Sequence, residues 1–249
     1  YIDIDPFGTP VPFLDAAVRR INDGGILAVT ATDTAVLAGT YPDVCRRRYW
    51  AEPMRNELMH EVALRILIRK VQLVGAQYDI ALIPVVSYSK DHYYRLFLSA
   101  YHKKKKCAEI IRTHKYFDYC KVCMGQNVSD NFSGKCSVCG AETKPAGPLW
   151  VGKLFDKEIV KKMNRNASDM PVIVNDFLAV AYEEADAEPG FFELHEFASH
   201  MKKSIPKTSD AIKILRKKGF NAVRTHFSAH AIKTDAYAKE FSRLIFEHR

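Results

Sequence analysis

The chain opens with a strand, a sharp turn, a helix and a second strand, and this order constrains the fold more than any other feature. Residues 1–4 and 26–30 each predict a buried strand. Between them, apolar residues recur at helical spacing: Phe13, Leu14, Ala17, Val18 and Ile21. A crossover helix makes the two strands parallel, and open α/β sheets bind ligands in the loop after such a strand. The sequence therefore predicts an α/β sheet with a site in the loop that starts at Asp5.

The first domain continues with a long helix and a hairpin. Apolar residues three and four apart after Pro53 predict a helix that starts near this proline. Two strands, over residues 79–87 and 93–101, are predicted to form an antiparallel hairpin that closes the sheet. The lysine run that starts at Lys103 is the predicted boundary, so that the first domain covers residues 1–102.

The second domain, residues 103–249, differs from the first in its predicted elements. Helices are predicted over residues 192–201 and 209–218, with Ser209 as the N-cap of the second, and a strand over residues 222–227. Two short helices, a tight joint and a strand indicate a winged-helix-like unit. We therefore predict an α+β domain here.

Two CxxC pairs with twelve residues between them indicate a metal site. The four cysteines are Cys120, Cys123, Cys136 and Cys139. This spacing is typical of a zinc ribbon, here over about residues 116–150, in which four thiolates hold a structural zinc ion. Two disulfides or unrelated free thiols are the alternatives. Cys45 and Cys107 are left over and are predicted to be free and buried.

The charge balance favours a polyanionic partner. Lys and Arg number 37 against 29 Asp and Glu, a net charge of +8 with histidine neutral, and the excess is clustered at residues 46–48, 103–106 and 216–218. Nucleic acid is the first such partner to consider, although solvated helix faces give the same pattern. No apolar stretch is long enough to cross a bilayer, so we expect a soluble cytoplasmic protein without a membrane partner.

The Asp5-Pro6-Phe7 turn has the groups needed to methylate an exocyclic base amine. Such an amine is a poor nucleophile because its lone pair is delocalised into the ring. The Asp5 carboxylate can accept one amine hydrogen and the Pro6 carbonyl the other, while Phe7 can stack on a flipped base. Taken alone, the tripeptide is better explained as a purely conformational turn.

Longer segments make the turn more specific. DPFGTPVPFLD at 5–15, AVTATDTAVLAG at 28–39 and CRRRY at 45–49 resemble the tRNA guanine-26 dimethyltransferase family, which makes N2,N2-dimethylguanosine. Three later segments agree: SYSKDHYYRLFLSAY at 87–101, GPLWVG at 147–152 and RTHFSAHAIKTDA at 224–236. The resemblance runs from Tyr1 almost to the C-terminus.

The resemblance implies roles for individual residues. Asp5 would be the catalytic carboxylate, Pro6 and Phe7 would line the guanine pocket, and S-adenosylmethionine would supply the methyl groups. Four further candidates belong to the same strand ends: Phe13 for substrate binding, Asp3 and Thr30 for cofactor binding, and Asp33. For each of these four, ordinary packing or capping is the alternative.

The resemblance also implies a fold. Residues 1–102 would be the C-terminal half of a class I, Rossmann-like methyltransferase sheet, and residues 103–249 an RNA-binding domain that docks tRNA. Such enzymes usually hold S-adenosylmethionine on a glycine-rich loop after their first strand, and no such loop precedes Asp5. We expect the C-terminal portion of a longer enzyme first, then one half of a split enzyme, then a remnant that does not bind the cofactor.

These features predict a tRNA methyltransferase that forms N2,N2-dimethylguanosine at position 26. The alternative is a non-catalytic nucleic-acid-binding module built on the zinc ribbon and the winged-helix-like unit. A methyltransferase that acts on another base is a lesser alternative.

Overall fold

The computed structural model describes residues 1–132 and 134–247, which form two compact units. The first unit comprises Tyr1–Phe117 and Ala146–Asp156. The second comprises Asp118–Pro145 and the chain from Lys157 onward. In these described ranges, no helix is both long enough and apolar enough to span a bilayer.

The first unit is built on a four-stranded sheet. Its strands are β1 (Ile2–Ile4), β2 (Ile26–Ala31), β3 (Ile80–Lys90) and β4 (Tyr93–His102), in the order β1-β2-β4-β3. β1 and β2 are parallel, with Ile4 opposite Val29, and the other pairings are antiparallel. The predicted parallel pair and the hairpin are therefore confirmed. The hairpin turns at Asp91 and His92, between the two predicted strands.

Helices cover one face of this sheet. They are α1 (Val11–Val18), α2 (Thr34–Leu37), α3 (Pro42–Tyr49), α4 (Met59–Ala76) and α5 (Lys104–Arg112). Along β4, buried side chains from Tyr94 to Ala100 alternate with half-buried ones, which is the period-two pattern of a strand with one well-covered face. The sheet therefore buries its Leu, Val and Ala side chains beneath the helices.

Two expected boundaries in this unit lie elsewhere. α4 begins at Met59 rather than near Pro53, because the Asn56 side chain accepts a hydrogen bond from the Leu58 amide and makes a turn first. The lysine run belongs to α5, whose Cys107 and Ile110 are buried. The first unit consequently extends to Phe117, past the boundary predicted at residue 103.

Arg65 ties the returning segment of the chain to α4. Its side chain is 2% exposed and pairs with Glu61 one turn earlier, at 2.9 Å. Its guanidinium also donates to the carbonyl oxygens of Trp150, at 3.0 Å, and Gly152, at 2.8 Å. A buried arginine is stable only when its donors are satisfied, so residues 146–156 are part of the core of the first unit.

Two strands carry the chain across the boundary between the units: β5 (His114–Tyr119) and β7 (Lys144–Trp150). The second unit contains β6 (Gln126–Ser129), α6 (Lys157–Arg165), α7 (Val172–Glu184), β8 (Phe192–Glu193), α8 (Leu194–Met201), α9 (Thr208–Lys217), β9 (Ala222–Thr225), β10 (Ser228–Thr234), α10 (Ala238–Ser242) and a π-helical turn (Arg243–Glu247). β8, β10 and β9 form an antiparallel sheet in that order.

The two predicted helices of this unit exist with shifted starts. Phe192 pairs with Ile232 as part of β8, so α8 begins two residues later, at Leu194. α9 begins at Thr208, with Lys207 rather than Ser209 at the N-cap position. Aromatic rings form the centre of the core: Phe192 and Phe197 each lie 4.8 Å from Phe241, measured between ring centroids.

A buried carboxylate joins α7 to β9 and β10. Glu184 is 3% exposed and accepts hydrogen bonds from the Thr225 hydroxyl at 3.0 Å, the His226 amide at 2.9 Å and the His226 ring at 2.8 Å. The Lys233 ammonium lies 3.8 Å away. Donors and positive charge thus offset the cost of burying this carboxylate.

Candidate functional site

The turn after β1 presents two groups to solvent. The Asp5 side chain is exposed and, among the residues that the structure describes, has no hydrogen-bond or ion-pair partner. The Phe7 ring is fully exposed, which is unusual for a large apolar side chain. Pro6, between them, is half-buried. The arrangement leaves a carboxylate and an aromatic face available to a ligand.

Two hydrogen bonds between Gly8 and Thr32 attach this turn to the loop after β2. The Gly8 amide donates to the Thr32 hydroxyl at 2.6 Å, and the Thr32 amide donates to the Gly8 carbonyl at 3.0 Å. Gly8 has a φ of +90°, a conformation that side chains with a Cβ rarely adopt. A Cβ at Gly8 would meet no atom within 4 Å, so the space beside the turn is open.

A second attachment runs through side chains. The Thr9 hydroxyl lies 2.7 Å from the Tyr49 hydroxyl, which in turn donates to the two Asp33 carboxylate oxygens at 2.7 and 2.8 Å. Tyr49 is completely buried and the Asp33 side chain is 8% exposed. Burial, together with the negative charge of Asp33, raises the pKa of Tyr49 far above its usual range. The hydroxyl of Tyr49 is therefore protonated and acts as a donor to Asp33.

Asp3 and Thr30 are brought together by Arg95. The Arg95 guanidinium donates to both carboxylate oxygens of Asp3, at 2.8 and 2.7 Å, and to the Thr30 hydroxyl at 2.5 Å. These hydrogen bonds lower the pKa of the Asp3 carboxyl. Both side chains thus have a protein partner already, and their predicted role in cofactor binding stays a prediction.

The remaining predicted residues occupy the surroundings of the turn. Phe13 lies in the first turn of α1 and is 52% exposed. Asp33 precedes α2 as its N-cap residue and is buried by the contact with Tyr49.

Sequence reasoning missed Thr9, Tyr49 and Arg95. The CRRRY segment contains Tyr49, but only the fold brings it to Thr9, 40 residues earlier. Arg95 is opposite Thr30 in the register of β2 and β4, so the alternating pattern of β4 was the signal that could have identified it.

The four cysteines of the second unit converge. The Sγ atoms of Cys120, Cys123, Cys136 and Cys139 all lie within 4.8 Å of one another. The Sγ atoms of Cys120 and Cys139 are 3.5 Å apart, and those of Cys123 and Cys136 are 3.6 Å apart. A tetrahedral zinc ion with Zn–S bonds of about 2.3 Å needs sulfur atoms about 3.8 Å apart, whereas a disulfide needs about 2.05 Å. The four thiols fit a metal ion and not two disulfides.

The backbone repeats the same turn at each cysteine pair. The Met124 amide donates to the Cys120 carbonyl at 2.8 Å, and the Gly140 amide donates to the Cys136 carbonyl at 3.0 Å. Met124 and Gly140 both have positive φ values, +58° and +74°. Cys45 and Cys107 are free and buried, as predicted.

Comparison with known proteins gives one consistent result. The family model of N2,N2-dimethylguanosine tRNA methyltransferases matches residues 1–245. The chain is 40% identical to the tRNA (guanine(26)-N(2)/guanine(27)-N(2))-dimethyltransferase of Aquifex aeolicus, over 99% of this chain and 64% of that protein. It is 35% identical to the tRNA (guanine(26)-N(2))-dimethyltransferase of Methanopyrus kandleri, over 99% of this chain and 65% of that protein.

A solved structure is similar throughout the chain. It is a complex of Trm1 from Pyrococcus horikoshii with S-adenosyl-L-methionine, which superposes with a TM-score of 0.88 at 35% identity and covers 98% of this chain and 65% of that one. The chain therefore spans slightly less than two thirds of the length of the relatives that it matches, at 64% and 65%.

Proposed function

The chain belongs to the N2,N2-dimethylguanosine tRNA methyltransferase family, and from this we propose that it is the catalytic-turn and tRNA-binding portion of a cytoplasmic enzyme that methylates N2 of guanine-26 in tRNA. One observation of this chain carries the proposal. The turn after β1 presents a carboxylate with no partner among the described residues beside a fully exposed aromatic ring. Enzymes hold a flipped base by stacking and by hydrogen bonds to its edge, and these two groups can supply both interactions to a guanine.

Each residue of the turn has a separate role in activating the amine. Asp5 accepts a hydrogen bond from the N2 amine and takes up its proton as the methyl group arrives. The Pro6 carbonyl accepts the other amine hydrogen and holds the nitrogen closer to tetrahedral geometry. Phe7 stacks on the guanine, with Phe13 as a second contact. Before the second transfer Asp5 releases its proton to solvent. The monomethylated amine has one hydrogen left, which Asp5 accepts and takes up as the second methyl group arrives.

S-adenosylmethionine, when bound, supplies the electrophilic methyl group. The open space over Gly8 fits a close approach of the donor to the turn. Asp3 and Thr30, which are both bonded to Arg95, would form part of the cofactor pocket together with it.

The sheet supports the proposal of a class I methyltransferase fold. β1 is at the edge of the sheet, and among the described residues β2 is its only strand partner. We propose that β1 to β4 are the C-terminal half of such a sheet. The glycine-rich part of the cofactor pocket would then come from residues outside this chain, in the same protein or in a partner.

The second unit would bind tRNA. The order β8-α8-α9-β9-β10, with an antiparallel sheet, supports a winged-helix-like unit. The four cysteines would hold one structural zinc ion as a ribbon, and four thiolates leave no open position for catalysis. Basic residues of the predicted region 103–249, a range that also includes α5 of the first unit, would contact phosphates, which position the RNA without selecting its sequence.

The decisive experiment uses the natural protein that contains this chain. It is incubated with S-adenosylmethionine and either a tRNA transcript with G26 or one with A26, and the nucleosides are identified by mass spectrometry. Dimethylguanosine from the first transcript alone supports the proposal. Tight tRNA binding without methylation by the intact protein would instead favour a non-catalytic RNA-binding module.

Asp5→Ala tests the assigned carboxylate. We expect methylation to be abolished and the affinity for tRNA to change little, because one exposed carboxylate adds nothing to phosphate binding. Asp15→Ala is the control, since Asp15 is an exposed carboxylate on α1 that is bonded to Tyr78 and not to the Asp5 turn. A fully active Asp5→Ala protein would remove Asp5 from the mechanism.

A further inference from the structure

We infer that Tyr49 and Asp33 are positioning residues, which hold the turn that carries Asp5 by means of Thr9. The inference rests on the proposed methyl transfer, in which the direction of the Asp5 carboxylate determines how it meets the amine. It adds two residues that make no contact with the reacting atoms but determine where the catalytic group lies.

The direction of each hydrogen bond in this chain of contacts follows from chemistry. A carboxylate only accepts, so the single hydroxyl proton of Tyr49 goes to Asp33. The Tyr49 oxygen then accepts, and the Thr9 hydroxyl, 2.7 Å away, must be its donor. The series of hydrogen bonds therefore runs from Thr9 through Tyr49 to Asp33. Removal of either hydroxyl breaks it at a known point.

The turn is held at two consecutive residues. Gly8 exchanges hydrogen bonds with Thr32, and Thr9 is bonded to Tyr49, so both contacts lead to the loop after β2. Asp5 itself has no side-chain partner among the described residues. Its direction in the free protein consequently depends on the backbone of residues 5–9, and this backbone is held by Gly8 and Thr9.

The cost of burying Asp33 argues against simple packing. The side chain of Asp33 is 8% exposed, and its nearest cation is Arg48 at 3.5 Å, whose own side chain is 44% exposed. Buried carboxylates cost stability, and an apolar residue of similar size would fill the same space more cheaply. What an apolar residue cannot do is orient Tyr49, and through it Thr9.

Two single substitutions remove the contact from either side. Thr9→Val and Tyr49→Phe each delete one hydroxyl and keep the volume of the side chain. Because small displacements of a catalytic group reduce rates steeply, we expect kcat to fall about 10- to 100-fold. The KM for tRNA should change less than about twofold, since neither residue lies in the proposed RNA contact.

Control variants separate positioning from folding. Thr9→Ser keeps the hydroxyl and should restore kcat to within about threefold of the wild type. Tyr41→Phe is the matched control for Tyr49→Phe, because Tyr41 immediately precedes α3 and is 56% exposed; it should leave kcat unchanged. Thermal unfolding of every variant shows whether the kinetic effect is a loss of folded protein.

The double variant is the sharpest test. If Thr9 and Tyr49 act through one hydrogen bond, Thr9→Val with Tyr49→Phe should lower kcat no further than the more severe single variant. Unchanged kcat in both single variants, or independent multiplicative effects in the double variant, would overturn the inference while the proposed function stands. A wild-type protein that methylates no tRNA would overturn both.

Discussion

Arg95 on β4 donates two hydrogen bonds, at 2.8 and 2.7 Å, to the Asp3 carboxylate on β1, and the strand β2 lies between them. The same guanidinium reaches Thr30 on β2 at 2.5 Å. One side chain thus joins three neighbouring strands immediately before the Asp5 turn. Bidentate arginine–carboxylate pairs are among the stronger hydrogen-bonded ion pairs in proteins.

Asp3→Asn should make the first unit less stable at neutral pH. The hydrogen bonds from Arg95 hold the pKa of Asp3 below its usual range. A lowered pKa means that the stabilisation is complete above the pKa of the unfolded chain, about 3.9, and is lost as the pH falls through the lower folded value. Because the Asp3 side chain is 38% exposed, we expect a loss of only about 0.5–1 kcal/mol at pH 7.

Urea unfolding at pH 7 and pH 3 measures this effect. The difference in the free energy of unfolding between wild type and Asp3→Asn should be smaller at pH 3 than at pH 7. Asp43→Asn is the control, since the Asp43 side chain is 83% exposed and its pairing with Arg46 should contribute almost nothing. If Asp3→Asn lowers the free energy of unfolding equally at both pH values, the ion pair with Arg95 is not the source of the lost stability.

Glu184 should make the second unit sensitive to acid. Burial alone would raise the pKa of this carboxyl, but the adjacent His226 and Lys233 lower the pKa to about 2. The stabilisation is therefore complete above about pH 4.5 and is lost as the pH falls towards 2. Glu184→Gln removes one member of a buried charged group and should cost on the order of 3 kcal/mol at pH 7.

Circular dichroism melts from pH 7 to pH 2 compare the two proteins. We expect the wild-type melting temperature to fall steeply below pH 4.5 and that of Glu184→Gln to be lower from the start and to change less. Glu183→Gln is a neighbouring control whose carboxylate pairs with the half-exposed Arg224. Parallel curves for the wild type and Glu184→Gln would contradict the assignment.

Phe7→Ala should impair methyl transfer without destabilising the protein. The ring is fully exposed, so its removal leaves no cavity, and the free energy of unfolding should change by less than about 0.5 kcal/mol. Stacking of a base on an aromatic ring is worth about 1–3 kcal/mol, which corresponds to roughly a 5- to 150-fold loss in kcat/KM.

Steady-state methylation of tRNA measures this loss. Phe7→Trp keeps an aromatic face and should retain most of the activity, whereas Phe7→Leu should resemble the alanine variant. Full activity of Phe7→Leu would mean that apolar contact, and not stacking, is what the turn provides.

Zinc should copurify with the protein at about one ion per chain. Cys120→Ser removes the most buried of the four thiols, and we expect loss of the metal and a lower melting temperature, because binding energy at such sites is also folding energy. Elemental analysis and melting curves with and without a chelator measure both effects. Cys107→Ser, outside the cluster, should keep the metal; a metal-free wild type that is as stable in chelator would refute the site.

Short-range patterns predicted most of the first sheet. Alternating and apolar runs identified β1, β2 and the hairpin, because these strands depend on neighbouring residues and on which face is buried. The start of α4 could not be predicted in the same way. A local hydrogen bond from the Leu58 amide to Asn56 competes with the first helical turn, and apolar periodicity does not report it.

The candidate site was predictable where its residues are adjacent in sequence. Asp5, Pro6 and Phe7 form one segment, and the cysteine spacing alone indicated a shared ion. Contacts between distant segments were not predictable. Thr9 and Tyr49 meet only because α3, which comes after β2, brings Tyr49 to the turn that follows β1. Arg95 meets Asp3 only because β4 and β1 both pair with β2.

The contacts of Arg65 have a consequence for the order in which the protein can fold during synthesis. Its two carbonyl partners, Trp150 and Gly152, are translated 85 and 87 residues after it. The first unit therefore cannot satisfy this buried guanidinium until the ribosome has made the whole intervening segment with its four cysteines.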